Sequence, residues 1–161
     1  MTMFNNISLS KGQHVIPYRP EHLLEIDLRD YEKENYAGNI KDYLEYVDDN
    51  AWPDLTWTGV GAGKVVLIFG FRPMWKGCGE GWILPGYGLE KHAISLLRNG
   101  RFLLTSIMED YELNRLQIAV SVRNETAYKF AKAMYFNEEV VMPKFGPEGS
   151  DYYLMSRLSE N

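Results

Sequence analysis

Cysteine is almost missing: Cys78 is the only one in 161 residues, so neither an internal disulfide nor a thiolate metal cluster can hold this fold together. The chain suits a reducing compartment. Cys78 itself reads as a small residue in a Gly-rich turn and not as a nucleophile, because no histidine stands near it in sequence. No run approaches the ~18 apolar residues that a membrane-spanning helix needs. The opening Met1-Thr2-Met3-Phe4-Asn5-Asn6 lacks the basic end and apolar run of a secretory signal. Positive charge is not in excess either, with 17 Lys and Arg against 22 Asp and Glu for a formal charge of −5. A dedicated nucleic-acid binder carries a basic footprint instead. The three histidines, His14, His22 and His92, share no ligand spacing, which excludes the usual metal motifs. The expectation is a cytoplasmic protein with no membrane span, no metal and no nucleic acid among its partners.

Two motifs invite over-reading. Gly59-Val60-Gly61-Ala62-Gly63-Lys64 lacks the four-residue spacer and the following Ser or Thr of a phosphate loop, and a strand comes after it, so it reads as a hairpin turn. Asp48, Asp49 and Asp54 lack the regular loop spacing of calcium sites and read as a solvated, helix-ending turn.

Apolar residues make up 45% of the chain, enough to bury a core without covalent staples. His14 to Tyr18 is a short strand candidate. Pro20 and Glu21 open a helix carrying Leu23, Leu24, Leu28 and Tyr31 at helical spacing. A second helix is predicted over Ile40 to Val47. The period then changes, and Leu55–Thr58, Val65–Phe69 and Gly81–Pro85 form an antiparallel meander. A long helical pattern covers Leu89 to Leu113, with a kink or a close contact expected at Gly100. Leu116 to Val122 alternates as a strand. Asn124 is placed to cap a helix that turns Ala127, Phe130, Ala131 and Met134 inward. Phe136–Met142 and Tyr152–Leu158 are the last strands.

The stretch from Arg115 through Asn124, Ala127 and Phe130 to Phe136 resembles the last half of the GNAT N-acyltransferase superfamily: strand, Asn at a helix cap, apolar inner face, then Phe opening a strand. The element order agrees from the first helix to Leu158. The tail from Phe136 to Tyr153 is also similar to GNAT-like proteins of short-tailed phages, some of them internal virion proteins. The resemblance implies an α/β (α+β) fold in a single domain over residues 1–161, with residues 1–12 as an arm or an early edge strand. Its centre would be a mostly antiparallel mixed sheet with one splayed strand pair, flanked by helices.

It further implies that acetyl-CoA, where it is used, lies in the wedge of the splayed pair. Strand backbone at Ile83 and Leu84 would hold the pantetheine, and N–H groups at the start of the next helix would hold the pyrophosphate. The family's loop positions fall on Gly88, Leu89, Lys91 and Ala93, so two bulky side chains stand where bare backbone is expected. Asn124 matches the family and is equally an ordinary N-cap. The family's usual acid position falls on Ala131. Glu80 is the implied base, and Tyr153 an acid from the final strand.

Two functions follow from the resemblance. One is a phage-type binding or virion-assembly module with a degenerate pyrophosphate loop and no cofactor. It would reside in the host cytoplasm or the virion, and would meet phage or host proteins or further copies of itself through Trp52, Trp57, Trp75 and Tyr87. The other is an acetyl-CoA-dependent N-acyltransferase acting on a primary amine of a cationic substrate.

Overall fold

The computed structural model describes residues 7–10, 12–35 and 39–160. They form two compact units: residues up to Arg72 together with Trp82–Ser95, and Pro73–Gly81 together with Leu96 onward. The strands follow the hydrogen-bonded order β1-β2-β3-β4-β5-β6-β8-β7.

In the first unit, β1 (Ile7–Ser10), β2 (Gln13–Pro17), β3 (Thr56–Gly61) and the first part of β4 (Lys64–Trp75) pair antiparallel in succession. Of the expected arm, residues 7–10 are thus an edge strand, while residues 1–6 and 11 lie outside the described residues. The β3–β4 turn consists of Ala62 and Gly63 at φ 51° and 76°. Two left-handed residues in succession suit the strand twist, and this is why a glycine-rich sequence makes a hairpin here and not a phosphate loop.

The helix expected from Glu21 to Tyr31 is two pieces, α1 (His22–Glu25) and α2 (Asp30–Asn35). Leu28 sits between them in an isolated bridge to Gly86, and backbone pairing there interrupts the helical ladder. Helix α3 spans Ile40–Asn50 and is capped by Asn39, whose side chain accepts from Asp42 N. Leu23, Ile26, Leu28, Val47, Val65, Ile68 and Leu84 form this unit's apolar core, with Tyr18, Tyr43, Leu44 and Trp82 packed on it.

In the second unit, the start of β5 (Cys78–Pro85) pairs parallel with β6 (Arg115–Ser121), through Cys78↔Arg115, Gly79↔Leu116 and Glu80↔Gln117. Strand β8 (Tyr152–Leu158) lies between β6 and β7 (Asn137–Met142), antiparallel to both. The long helical pattern begins as a turn, Leu89–His92, and becomes α4, Ala93–Asp110. At Gly100 the close-contact alternative holds: an added Cβ would stand 2.5 Å from Met134 Cε. Helix α5 is Glu125–Ala133. Cys78 is buried in a strand, not placed in a turn. Among the described residues no helix is long and apolar enough to cross a membrane.

Candidate functional site

Strand alternation sorts the second unit into two faces. One face of β8 presents Tyr153, Met155 and Arg157. Tyr153 packs on Tyr128 of α5 with ring centroids 5.1 Å apart, and Arg157 donates to Arg101 O of α4 at 3.3 Å. This is the helix-covered face, and Met155 on it is fully buried.

The opposite face carries a polar row set by strand register, in which Glu80 pairs with Gln117 and Gln117 with Ser156. Arg115 Nε donates to Gln117 Oε1 at 2.9 Å. Its Nη1 meets Glu139 Oε2 at 2.7 Å. Glu139 reaches this face from the irregularity between Glu138 and Val140 in β7. Hydrogen bonds from Ser156 and Arg115 hold its carboxyl below the usual range. Ala119, next on this face of β6, is exposed.

Glu80 and Tyr153 therefore stand on opposite faces of the sheet, and the structure does not bring the two expected catalytic groups together. Asn124 is a helix cap, with its Oδ1 accepting from Ala127 N at 3.0 Å.

The expected cofactor residues Ile83, Leu84, Gly88, Lys91 and Ala93 lie in the first unit. Leu84 is buried in its core and Ile83 is exposed; Ala93 opens α4. Leu89 is only 8% exposed. Its side chain is part of the core, not an obstruction over the turn as the sequence suggests, whereas Lys91 is exposed.

What does fill the turn is Glu90. Gly88, at φ 96°, donates its N–H to Glu90 Oε1 at 3.3 Å, and Arg29 Nη2 donates to Glu90 Oε2 at 2.8 Å. The Glu90 carboxyl is held below its usual range by its own N–H first, then by Gly88 N–H and Arg29. The N–H groups of Leu89 and Lys91 bond to the carbonyls of Gly86 and Gly88. With the Glu90 carboxylate in place the Gly88 N–H and the Arg29 guanidinium are both engaged, and these are the two donors that a phosphate would meet here if that carboxylate moved aside.

Of the aromatics expected to meet partners, Trp52, Trp75 and Tyr87 are exposed. Trp57 is not: it is 2% exposed and stacks on Phe69 and Phe71 at 5.8 and 6.3 Å.

Arg115, Glu139 and Ser156, like Arg29 and Glu90, escape the sequence reading. The alternation of Arg115 and Gln117 with apolar neighbours is visible in sequence, but their joining to Glu139 across two strand pairings is not.

No protein-family model matches the sequence, and no curated protein does. Solved structures do match. Ard1 of Thermoplasma volcanium aligns over 93% of this chain and 99% of its own, at 14% identity and a TM-score of 0.73. A GNAT-family acetyltransferase from Streptococcus pneumoniae aligns over 92% and 99%, at 19% identity and 0.61. The microcin self-immunity acetyltransferase MccE, in complex with acetyl-CoA and AMP, aligns over 95% and 96%, at 15% identity and 0.71. The chain has the fold of the GNAT acetyltransferases, and at these identities the likeness is one of fold.

Proposed function

We propose that this protein is an N-acyltransferase that moves an acetyl group from acetyl-CoA to a primary amine. The observation that carries the reading is Glu80, which shares a polar row with Gln117 and Ser156 on the sheet face opposite α4 and α5, in the fold of acetyltransferases. Acetyl-CoA supplies the activated acyl carbon. The Glu80 carboxylate takes the proton that the amine sheds as its nitrogen forms the new C–N bond and the C–S bond breaks. With Tyr153 on the other face, the departing sulfur takes its proton from solvent.

Replacing Glu80 by Gln keeps the shape and removes the base. Turnover of an amine acceptor should fall about 100-fold. Unchanged turnover would remove Glu80 from the chemistry.

A second reading, a binding module that has given up the cofactor, has the Glu90–Gly88–Arg29 closure in its favour. In that case a variant with Glu90 removed would still ignore acetyl-CoA. A virion role rests on the tail resemblance alone and draws nothing from the similar structures.

A further inference from the structure

We propose that the middle of α4, the end of α5 and β8 form a docking surface for an acidic peptide segment of a partner protein, one that sets carboxylates beside apolar or aromatic residues. The surface lies wholly within the second unit, on the sheet face opposite Glu80, and does not depend on the acyltransferase reading.

Its centre is Tyr135. This residue follows the last turn of α5 with φ 70°, a left-handed position that glycine fills at least cost. The side chain is 54% exposed, so burial does not offset the strain, and an exposed ring held in such a conformation points to a function. The ring gathers two guanidinium groups: Arg101 Cζ lies 4.5 Å and Arg157 Cζ 5.6 Å from its centroid.

Both cations are fixed in place before any partner arrives. Arg101 Nε donates to Ala133 O at 2.6 Å. Arg157 Nη1 donates to Arg101 O at 3.3 Å, and its Nη2 donates to Thr105 Oγ1. Among the described residues neither makes an ion pair, and Glu160 acts on the Arg157 charge only from beyond ion-pair distance. The outer fork of Arg101, its two Nη groups, has no hydrogen-bond partner among the described residues, which leaves it open to a carboxylate in the bidentate mode. Side chains already ordered lose little freedom on binding.

The apolar part comes from α4. Arg98, Arg101, Phe102 and Thr105 stand at i, i+3, i+4 and i+7, on one side of the helix. Arg98 is exposed and Phe102 is 70% exposed. Arginine beside aromatic rings is the composition of interface hot spots. The chain carries a formal charge of −5, so a nucleic-acid strand, charged at every nucleotide, is repelled by the molecule as a whole. A peptide with a few carboxylates spaced by apolar residues meets the guanidinium groups with the first and Phe102 with the second.

The test titrates this chain, by fluorescence anisotropy, with three labelled probes. They are the blocked peptide Glu-Glu-Phe-Glu-Asp-Phe-Glu, the same peptide with every acid replaced by its amide, and an oligothymidylate of similar length. The acidic peptide should bind with a Kd on the order of 10–100 µM, at least tenfold more tightly than either control, and should weaken severalfold as salt is raised to about 0.3 M. Arg157→Met should weaken it about tenfold, and Arg98→Ala and Phe102→Ala, at exposed positions that leave the fold intact, about threefold to tenfold each. The Tyr135 ring signals should shift on titration with the acidic peptide and not with its amide form. Equal affinity for the amide peptide, tighter binding of the oligothymidylate, or an affinity unchanged in Phe102→Ala and Arg157→Met would overturn the proposal. So would an absence of binding at millimolar acidic peptide.

Discussion

Two titratable side chains in the first unit pull stability in opposite directions with pH. His22 is 2% exposed; its Nδ1 accepts from Arg19 N at 3.1 Å and lies 2.8 Å from Thr58 Oγ1. With one donor already aimed at it, Nδ1 carries no proton, and the ring is neutral. Burial, then the charge of Arg19, lowers its pKa from the ordinary 6.5. The unfolded chain binds this proton more readily, so the contribution of His22 is complete above about 6.5 and is lost as pH falls below it. Glu32 does the reverse. Burial raises its carboxyl from 4.5 to about 7, against an opposing hydrogen bond from Tyr43. The native state holds that proton between 4.5 and 7, so the contribution of Glu32 is present in acid and lost as pH rises through 7. Glu32→Gln should therefore be more stable than the wild type at pH 8 by about 1–2 kcal/mol, allowing for partial solvent screening. The gap should close as pH falls to 4.5. Thermal melts of both proteins across that range decide it, and a gap independent of pH would contradict the buried-carboxyl account. The sequence marks neither residue: His22 reads as an unremarkable helix position, because burial is a property of the packed unit.

Elements were legible where one strong local signal set them. Tyr152–Leu158 alternates and is a strand over that span. Asn124 both starts α5 and caps it. Asn124→Ala should cost about 1 kcal/mol in denaturant unfolding, and Asn124→Asp should restore it. If the side chain serves only as a cap, acetyl-CoA affinity is also kept in Asn124→Asp; a contact with the cofactor's phosphates would make the added negative charge weaken binding about tenfold. Where long-range pairing overrode local pattern, the sequence misled. Leu23, Leu24, Leu28 and Tyr31 keep helical spacing, yet the Leu28 bridge to Gly86 divides the helix. The turn before α4 is the clearest case. Leu89 looked like an obstruction because it stands where the resemblance expects glycine, but an apolar side chain next to a core turns inward. The group that closes the turn is the adjacent acid, Glu90, and its partner Arg29 lies 61 residues away in sequence.

At the scale of the whole molecule, the order of helices and strands carried the fold, since packing sets topology more tolerantly than chemistry sets a site. The polar row on β5, β6 and β8 was not legible because it depends on register: a one-residue slip of β6 against β5 would move Gln117 to the helix-covered face. An acyltransferase role for this chain requires that it bind acetyl-CoA. Isothermal titration of acetyl-CoA into this chain and into its Glu90→Ala variant measures this directly. The prediction is one-to-one binding by the wild type, tightened about tenfold in Glu90→Ala as the Gly88 N–H and Arg29 are released to the phosphates. Absence of binding heat from both proteins, with no rise in melting temperature at saturating acetyl-CoA, would contradict it.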